Sequence, residues 1–119
     1  KAPYNKGRTT SHEMGHFLGL IHIWGDELNC TGTDYCDDTP PTDSPITGCP
    51  SLRASCQPGL QAMVSNYMDY TDDGCMNIFT NNQVSRMQTV LMVSPRRKEL
   101  LTSKVYLVSS VPAANFTVN

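Results

Sequence analysis

The sequence predicts a mainly helical and irregular fold, with two short amphipathic helices flanking a cysteine-bearing loop region. Three observations carry that expectation. Met14, Phe17, Leu18 and Ile21 fall at the i, i+3, i+4, i+7 spacing of one helical face. Val84, Met87 and Leu91 give a second stripe further along. Between them, residues 25–62 are dense in Gly, Pro, Asp, Thr, Ser and Cys and follow neither the helical nor the strand period.

The first helix is expected over residues 8–21, with Thr9, Thr10 and Ser11 offering N-cap oxygens. Residues 25–62 read as a long loop, and loops of that length are usually functional or covalently tied. Residues 63–79 hold a turn, NYMDYTDDGCM. The second helix is expected over 81–93, because Thr80 and Gln83 have capping-box spacing and Pro95 ends the run. Arg96, Arg97 and Lys98 read as a solvated helix end. A short β-prone run follows, Val105 to Val108, and no internal repeat is visible.

Of the 119 residues, 39% are hydrophobic and 17% charged, a mixture that can build a core. A net charge of −2 lacks the basic footprint of a nucleic-acid binder. The longest apolar stretch, Phe17 to Trp24, contains a histidine and is far too short to span a bilayer. There is no initiator methionine and nothing like a signal peptide at Lys1, so the chain is expected to be cut from a longer precursor.

The five cysteines are Cys30, Cys36, Cys49, Cys56 and Cys75. None forms a C-x-x-C pair, which removes the usual zinc-ribbon and thioredoxin readings. Scattered through an irregular segment, they suit disulfides made in an oxidising, extracellular compartment. The odd count leaves at least one unpaired. Five reduced, buried cysteines in a cytosolic protein are the alternative.

All three histidines of the chain lie in His12-Glu13-Met14-Gly15-His16-Phe17-Leu18-Gly19-Leu20-Ile21-His22, the pattern HExxHxxGxxH. Residues four apart share a helical face, so His12 and His16 can aim two imidazoles at one ion. On an unbroken helix His22 would be rotated roughly 240° from His16 and about 9 Å further along. It joins them only if the chain turns between them, and Gly19 stands where a left-handed residue would make that turn. Three neutral imidazoles with one open position describe a catalytic zinc site rather than a structural one. Such a site lowers the pKa of a bound water to about 7, and Glu13 is placed to take its proton as it attacks a carbonyl.

The motif resembles that of the metzincin metallopeptidases, which combine it with a downstream Met-turn. Asn66-Tyr67-Met68-Asp69-Tyr70 is similar to that turn. The resemblance makes Met68 an apolar floor under the histidines and Tyr70 a stabiliser of the oxyanion. Within the metzincins, the run HEMGHFLGLIHIWGDE, Cys30, DDTP (Asp37 to Pro40), GCP (Gly48 to Pro50), Cys56 and NYMDYTDDGCMNIFTNNQVSRM resembles the pappalysin family over roughly residues 7–93.

That resemblance implies an α+β, zincin-like catalytic domain, represented here mainly by the zinc helix and the lower, mostly helical and irregular, disulfide-stapled subdomain. It implies the bridges Cys30–Cys56 and Cys49–Cys75 and leaves Cys36, where an aliphatic residue is commoner, as the free thiol. It also implies calcium in the loop after the third histidine. Asp34, Asp37, Asp38 and Thr39 offer hard oxygens there, and alignment favours Asp34 and Thr39. The domain division expected is 1–101 as the C-terminal part of the peptidase domain and 102–119 as a linker opening an Ig-like domain. The upper subdomain, whose edge strand binds substrate in metzincins, would be a missing partner. The chain alone is then expected to be marginally stable and weakly active.

The function these features imply is a secreted zinc endopeptidase acting on protein or peptide substrates. Two other classes compete. A metal-containing adhesion module without catalysis is disfavoured by Glu13, which such a site does not need. A copper or iron redox centre lacks a further carboxylate or cysteine ligand at suitable spacing. Asp69, Asp72 and Asp73 near the Met-turn favour a basic side chain after the scissile bond.

Overall fold

In the computed structural model, which describes residues 2–105, the first helix α1 runs Arg8–Phe17. It ends four residues earlier than the apolar pattern predicts. Gly19, at φ 89°, takes the left-handed position just past the helix. The N–H of Leu20 then bonds the carbonyl of Gly15 at 2.9 Å, and that of Gly19 bonds His16 at 2.9 Å. This is a Schellman cap, and it satisfies the last helical carbonyls while reversing the chain. The apolar pattern continued to Ile21 because those residues serve the reversed segment, not the helix.

The start of α1 also differs from expectation. Its N-cap is Gly7, at φ 76°, and no side chain of Thr9, Thr10 or Ser11 caps it. The acceptor comes from far away. Asp73 Oδ2 takes the N–H of Lys6 at 2.6 Å and of Arg8 at 3.3 Å. A carboxylate at this end is favoured by the helix dipole and satisfies otherwise orphaned donors.

Residues 25–62 form the long irregular region that their composition predicts, crossed by little regular structure. Strand β1 (Thr47–Gly48) pairs in parallel with β2 (Tyr70–Thr71), in the register Thr47–Tyr70 and Gly48–Thr71. Single bridges join Ala54 to Gln61 and Asn66 to Ile78. Two disulfides, Cys30–Cys56 and Cys49–Cys75, each close a span of 26 residues. Each contributes about 3 kcal/mol on the chain-entropy model, which is large for a segment with so little core of its own. Cys36 is free and buried; burial pushes its thiol up to about 11, so it stays neutral and unreactive at ordinary pH.

The second helix α2 spans Asn81–Val93. Its capping box is complete: Gln83 N–H bonds Thr80 Oγ1 at 3.2 Å, and Thr80 N–H bonds Gln83 Oε1 at 2.9 Å. The expected stripe is only partly inside. Met87 packs on the core and Leu91 is half-buried, but Val84 is exposed, because the fully buried position of that turn is taken by Gln83. A 3-10 turn, Lys98–Thr102, follows.

The core is small: Leu20, Ile23, Trp24 and Met68, with Phe79 and Met87 against it. Each such burial contributes roughly 1.5–3 kcal/mol. Met14 and Phe17 of α1 are exposed. Arg97 is not a solvated helix end. Its guanidinium lies 4.6 Å from the Phe17 ring centre and its Nε donates to the Phe17 carbonyl. Among the described residues no helix is long and apolar enough to cross a membrane. The expected β-prone run beyond Val105, and the Ig-like start it leads into, lie outside the described residues.

Candidate active site

α1, the Gly19 bend and the 66–70 turn bring His12, His16 and His22 together. Nε2 of His16 lies 3.0 Å from Nε2 of His12 and 3.1 Å from Nε2 of His22. Each ring's other nitrogen faces an acceptor. Nδ1 of His12 donates to the Tyr67 carbonyl at 2.7 Å, that of His16 to the Leu20 carbonyl at 3.0 Å, and that of His22 to Asp26 Oδ1.

These partners assign the proton to Nδ1 in every ring, which leaves three Nε2 lone pairs pointing at one another. Lone pairs do not bond lone pairs, so the arrangement needs a cation at its centre. Nitrogen ligands about 2.0–2.1 Å from a tetrahedral zinc stand about 3.3 Å apart, close to the separations here. The donor set therefore fits a zinc ion. Burial holds the His12 imidazole below its usual 6.5, against the opposing pull of the Tyr67 carbonyl, and so favours the neutral, ligating form.

The surroundings fix the rings. Trp24 stacks on His22 at 4.2 Å with 6° between planes. Tyr70 sits edge-on to His22 with 4.8 Å between centres and 5.8 Å from His12. Its ring is exposed, on the open side of the cluster. Met68 is completely buried beneath α1, and a Cβ added at Gly15 would collide with its Sδ. Gly15 is thus required by the close approach of that methionine. A cavity of about 370 Å³ opens beside the cluster, lined among others by Tyr4, His12, Glu13, Asp69, Tyr70 and Met76. Glu13 stands at its edge, exposed and one residue from His12.

All of these elements lie within one family-model match. A model described as pregnancy-associated plasma protein-A, of the M43 peptidases, matches residues 2–92. The chain belongs to the pappalysin family of metallopeptidases. Its pappalysin relatives include an extracellular metalloprotease of Arthroderma otae, 46% identical over 84 residues. Another is extracellular metalloprotease 1 of Coccidioides posadasii, 48% identical over 90 residues. These matches cover 71% and 75% of this chain but 31% and 32% of the relatives, so the chain spans about a third of their length. Among solved structures, mature mirolysin of Tannerella forsythia in complex with a cleaved peptide matches at TM-score 0.76 and 45% identity. That match covers 84% of this chain and 39% of the mirolysin chain. The chain therefore has the fold of part of a zincin-like pappalysin catalytic domain.

Other acidic residues have different places. Asp69 is fully buried; its Oδ1 accepts from the amides of Ile46 and Tyr70, and its Oδ2 has no partner. Burial raises its pKa. Asp73 is spent on the start of α1, and Asp38 accepts from Asn82 N–H at the start of α2. Asp34 and Thr39 are both buried, with Thr39 Oγ1 2.6 Å from Asp34 Oδ2 and 2.6 Å from the Cys36 carbonyl.

Several residues that build the site make contacts that no motif foretold. Asn66 and Gln83 exchange side-chain amide bonds, at 2.9 Å and 3.1 Å, and Asn66 Oδ1 also takes the Met68 N–H at 2.8 Å. Arg86 Nε donates to the Gly19 carbonyl at 2.7 Å, holding the bend to α2. The capping spacing flagged Gln83, but nothing local pointed to its second partner.

Proposed function

We propose that this chain carries the zinc centre of an extracellular endopeptidase that hydrolyses peptide bonds in proteins. The observation that carries the reading is the convergence of three Nε2 lone pairs at the rim of a cavity edged by a carboxylate. His12, His16 and His22 would hold the ion. When bound, zinc supplies Lewis acidity to a substrate carbonyl and to water. Glu13 accepts the proton of the attacking water on its carboxylate and returns it to the leaving amine. Tyr70, on the open side of the cluster, stabilises the oxygen that gains charge by donating a hydrogen bond from its phenol. Met68 supports the histidines from below. The names of the relatives, extracellular metalloproteases, favour the same compartment and substrate class. On this reading residues 1–101 are the C-terminal part of the peptidase domain and 102–119 a linker. Asp69 borders the cavity but is fully buried, and burial favours its neutral form, so it offers no accessible charge to a basic substrate side chain.

Chelation tests the metal role. Dialysis of the intact protein against 1,10-phenanthroline should abolish cleavage of a denatured protein, and stoichiometric zinc should restore it. Undiminished cleavage by zinc-free protein would remove the reading.

Calcium at Asp34 and Thr39 belongs to the same proposal. The Thr39 hydroxyl has one proton for two acceptors, and burial raises the Asp34 pKa, so the buried oxygens lack positive charge. Calcium added to the chelated, zinc-reloaded protein should raise its melting temperature, and Asp34→Ala should cancel the rise. An equal rise in that variant would place the calcium elsewhere.

A further inference from the structure

We propose that Asp26 is a positioning residue for the third histidine; the inference rests on the reading above in which His22 holds zinc. The three rings are not held alike. His12 and His16 stand on α1, and their Nδ1 atoms bond backbone carbonyls, those of Tyr67 and Leu20. The folded chain presents those carbonyls whatever the side chains are. His22 lies beyond the Gly19 bend, outside any helix or strand. Besides Tyr70, edge-on at 4.8 Å, its own turn restrains the ring.

That turn supplies two restraints. The Trp24 indole, stacked at 4.2 Å and 6°, fixes the plane of the ring. Rotation within that plane stays open, and so does the choice of which nitrogen carries the proton. Asp26 Oδ1, bonded to His22 Nδ1, settles both, and leaves the Nε2 lone pair facing His12 and His16. Of the three ring partners it is the only side chain.

The backbone gives a second, independent observation. Gly25 and Asp26 are successive left-handed residues, at φ 70° and 60°, and Gly25 N–H closes the turn on the His22 carbonyl at 2.8 Å. A residue with a Cβ is disfavoured at such a φ, and glycine would be the unstrained choice. What aspartate has there and glycine lacks is the carboxylate. The turn keeps an unfavourable backbone and gains a hydrogen-bond acceptor for the metal ligand.

Two variants of the intact protein test this, Asp26→Gly and Asp26→Asn. Glycine removes the carboxylate and relieves the backbone, so folding is protected. Asparagine tolerates the left-handed region and keeps an acceptor oxygen. Zinc affinity is read by competition with a chromophoric chelator, and ligand geometry by the visible spectrum of the cobalt-substituted protein. Asp26→Gly should weaken zinc by ~10- to 100-fold and alter the cobalt bands, with an apo melting temperature no lower than that of the wild type. Asp26→Asn should recover most of both. Glycine-variant affinity within twofold of a zinc-binding wild type overturns the inference alone. A wild type that binds no zinc overturns the metal reading and this inference together.

Discussion

Glu13→Gln is expected to bind zinc as the wild type does and to lose turnover by about a thousandfold or more, within the range for loss of a positioned acid–base group. The substitution is nearly isosteric. It leaves the three imidazoles, their Nδ1 partners and the Met68 floor untouched. What it removes is the one carboxylate on α1 at the cavity edge. Glutamine can still orient a water but cannot take its proton at neutral pH. The drop should therefore fall on kcat far more than on KM. Metal analysis of the same preparation must show full zinc content for the result to bear on the mechanism. A variant with full zinc and near-normal kcat would assign the proton transfer to another group.

The largest loss of stability is expected from Gly25→Ala, a single methyl added beside the core residue Trp24. Gly25 sits at φ 70°, which already disfavours a side chain. A Cβ there would lie 2.6 Å from the Gly32 carbonyl carbon and 2.8 Å from its Cα, and closer still to the Thr33 amide nitrogen. These are backbone atoms and cannot swing aside as a side chain would. The strands of loop cross so closely that Gly32 is equally constrained, since its own Cβ would meet the Trp24 carbonyl. Left-handed strain and overpacking together should cost about 3 kcal/mol or more. That corresponds to a fall in melting temperature of more than about 10 °C. Zinc affinity should fall with it, because Trp24 and Gly25 form the turn that holds His22. An unchanged unfolding midpoint would mean the two loops do not approach as closely as described.

The site was far more legible in the sequence than the frame that holds it. Two histidines four apart on a helix, a glycine, and a third histidine form a local rule, readable from eleven residues because each geometric step has one chemical solution. The same holds for the start of α2, where Thr80 and Gln83 are three residues apart and cap each other. The ends of α1 were misjudged for a physical reason. Leu18 and Ile21 continue a helical stripe, but Gly19 overrides that pattern, and hydrophobic periodicity does not record a reversal. At the other end, three hydroxyl residues suggested a local cap, whereas the acceptor is Asp73. Asn66 with Gln83, Arg86 with Gly19 and Arg97 with Phe17 are pairs between remote segments. No spacing rule reaches across such distances, and an exposed-looking basic run gives no sign that one guanidinium is committed. The cysteine partners likewise came from likeness to a family, since five cysteines in an irregular segment allow several pairings.

The moorings of α1 have a consequence for how the protein is made. Its first turn is tied to Asp73, 65 residues beyond Arg8, and its last to Arg97, 80 residues beyond Phe17. A ribosome releases the histidines early and their anchors late. Until residue 97 has emerged, then, the three imidazoles stand on a segment that lacks its full pair of anchors. The helix that carries two of the three imidazoles therefore gains both of its moorings only once residue 97 is available to fold back on it.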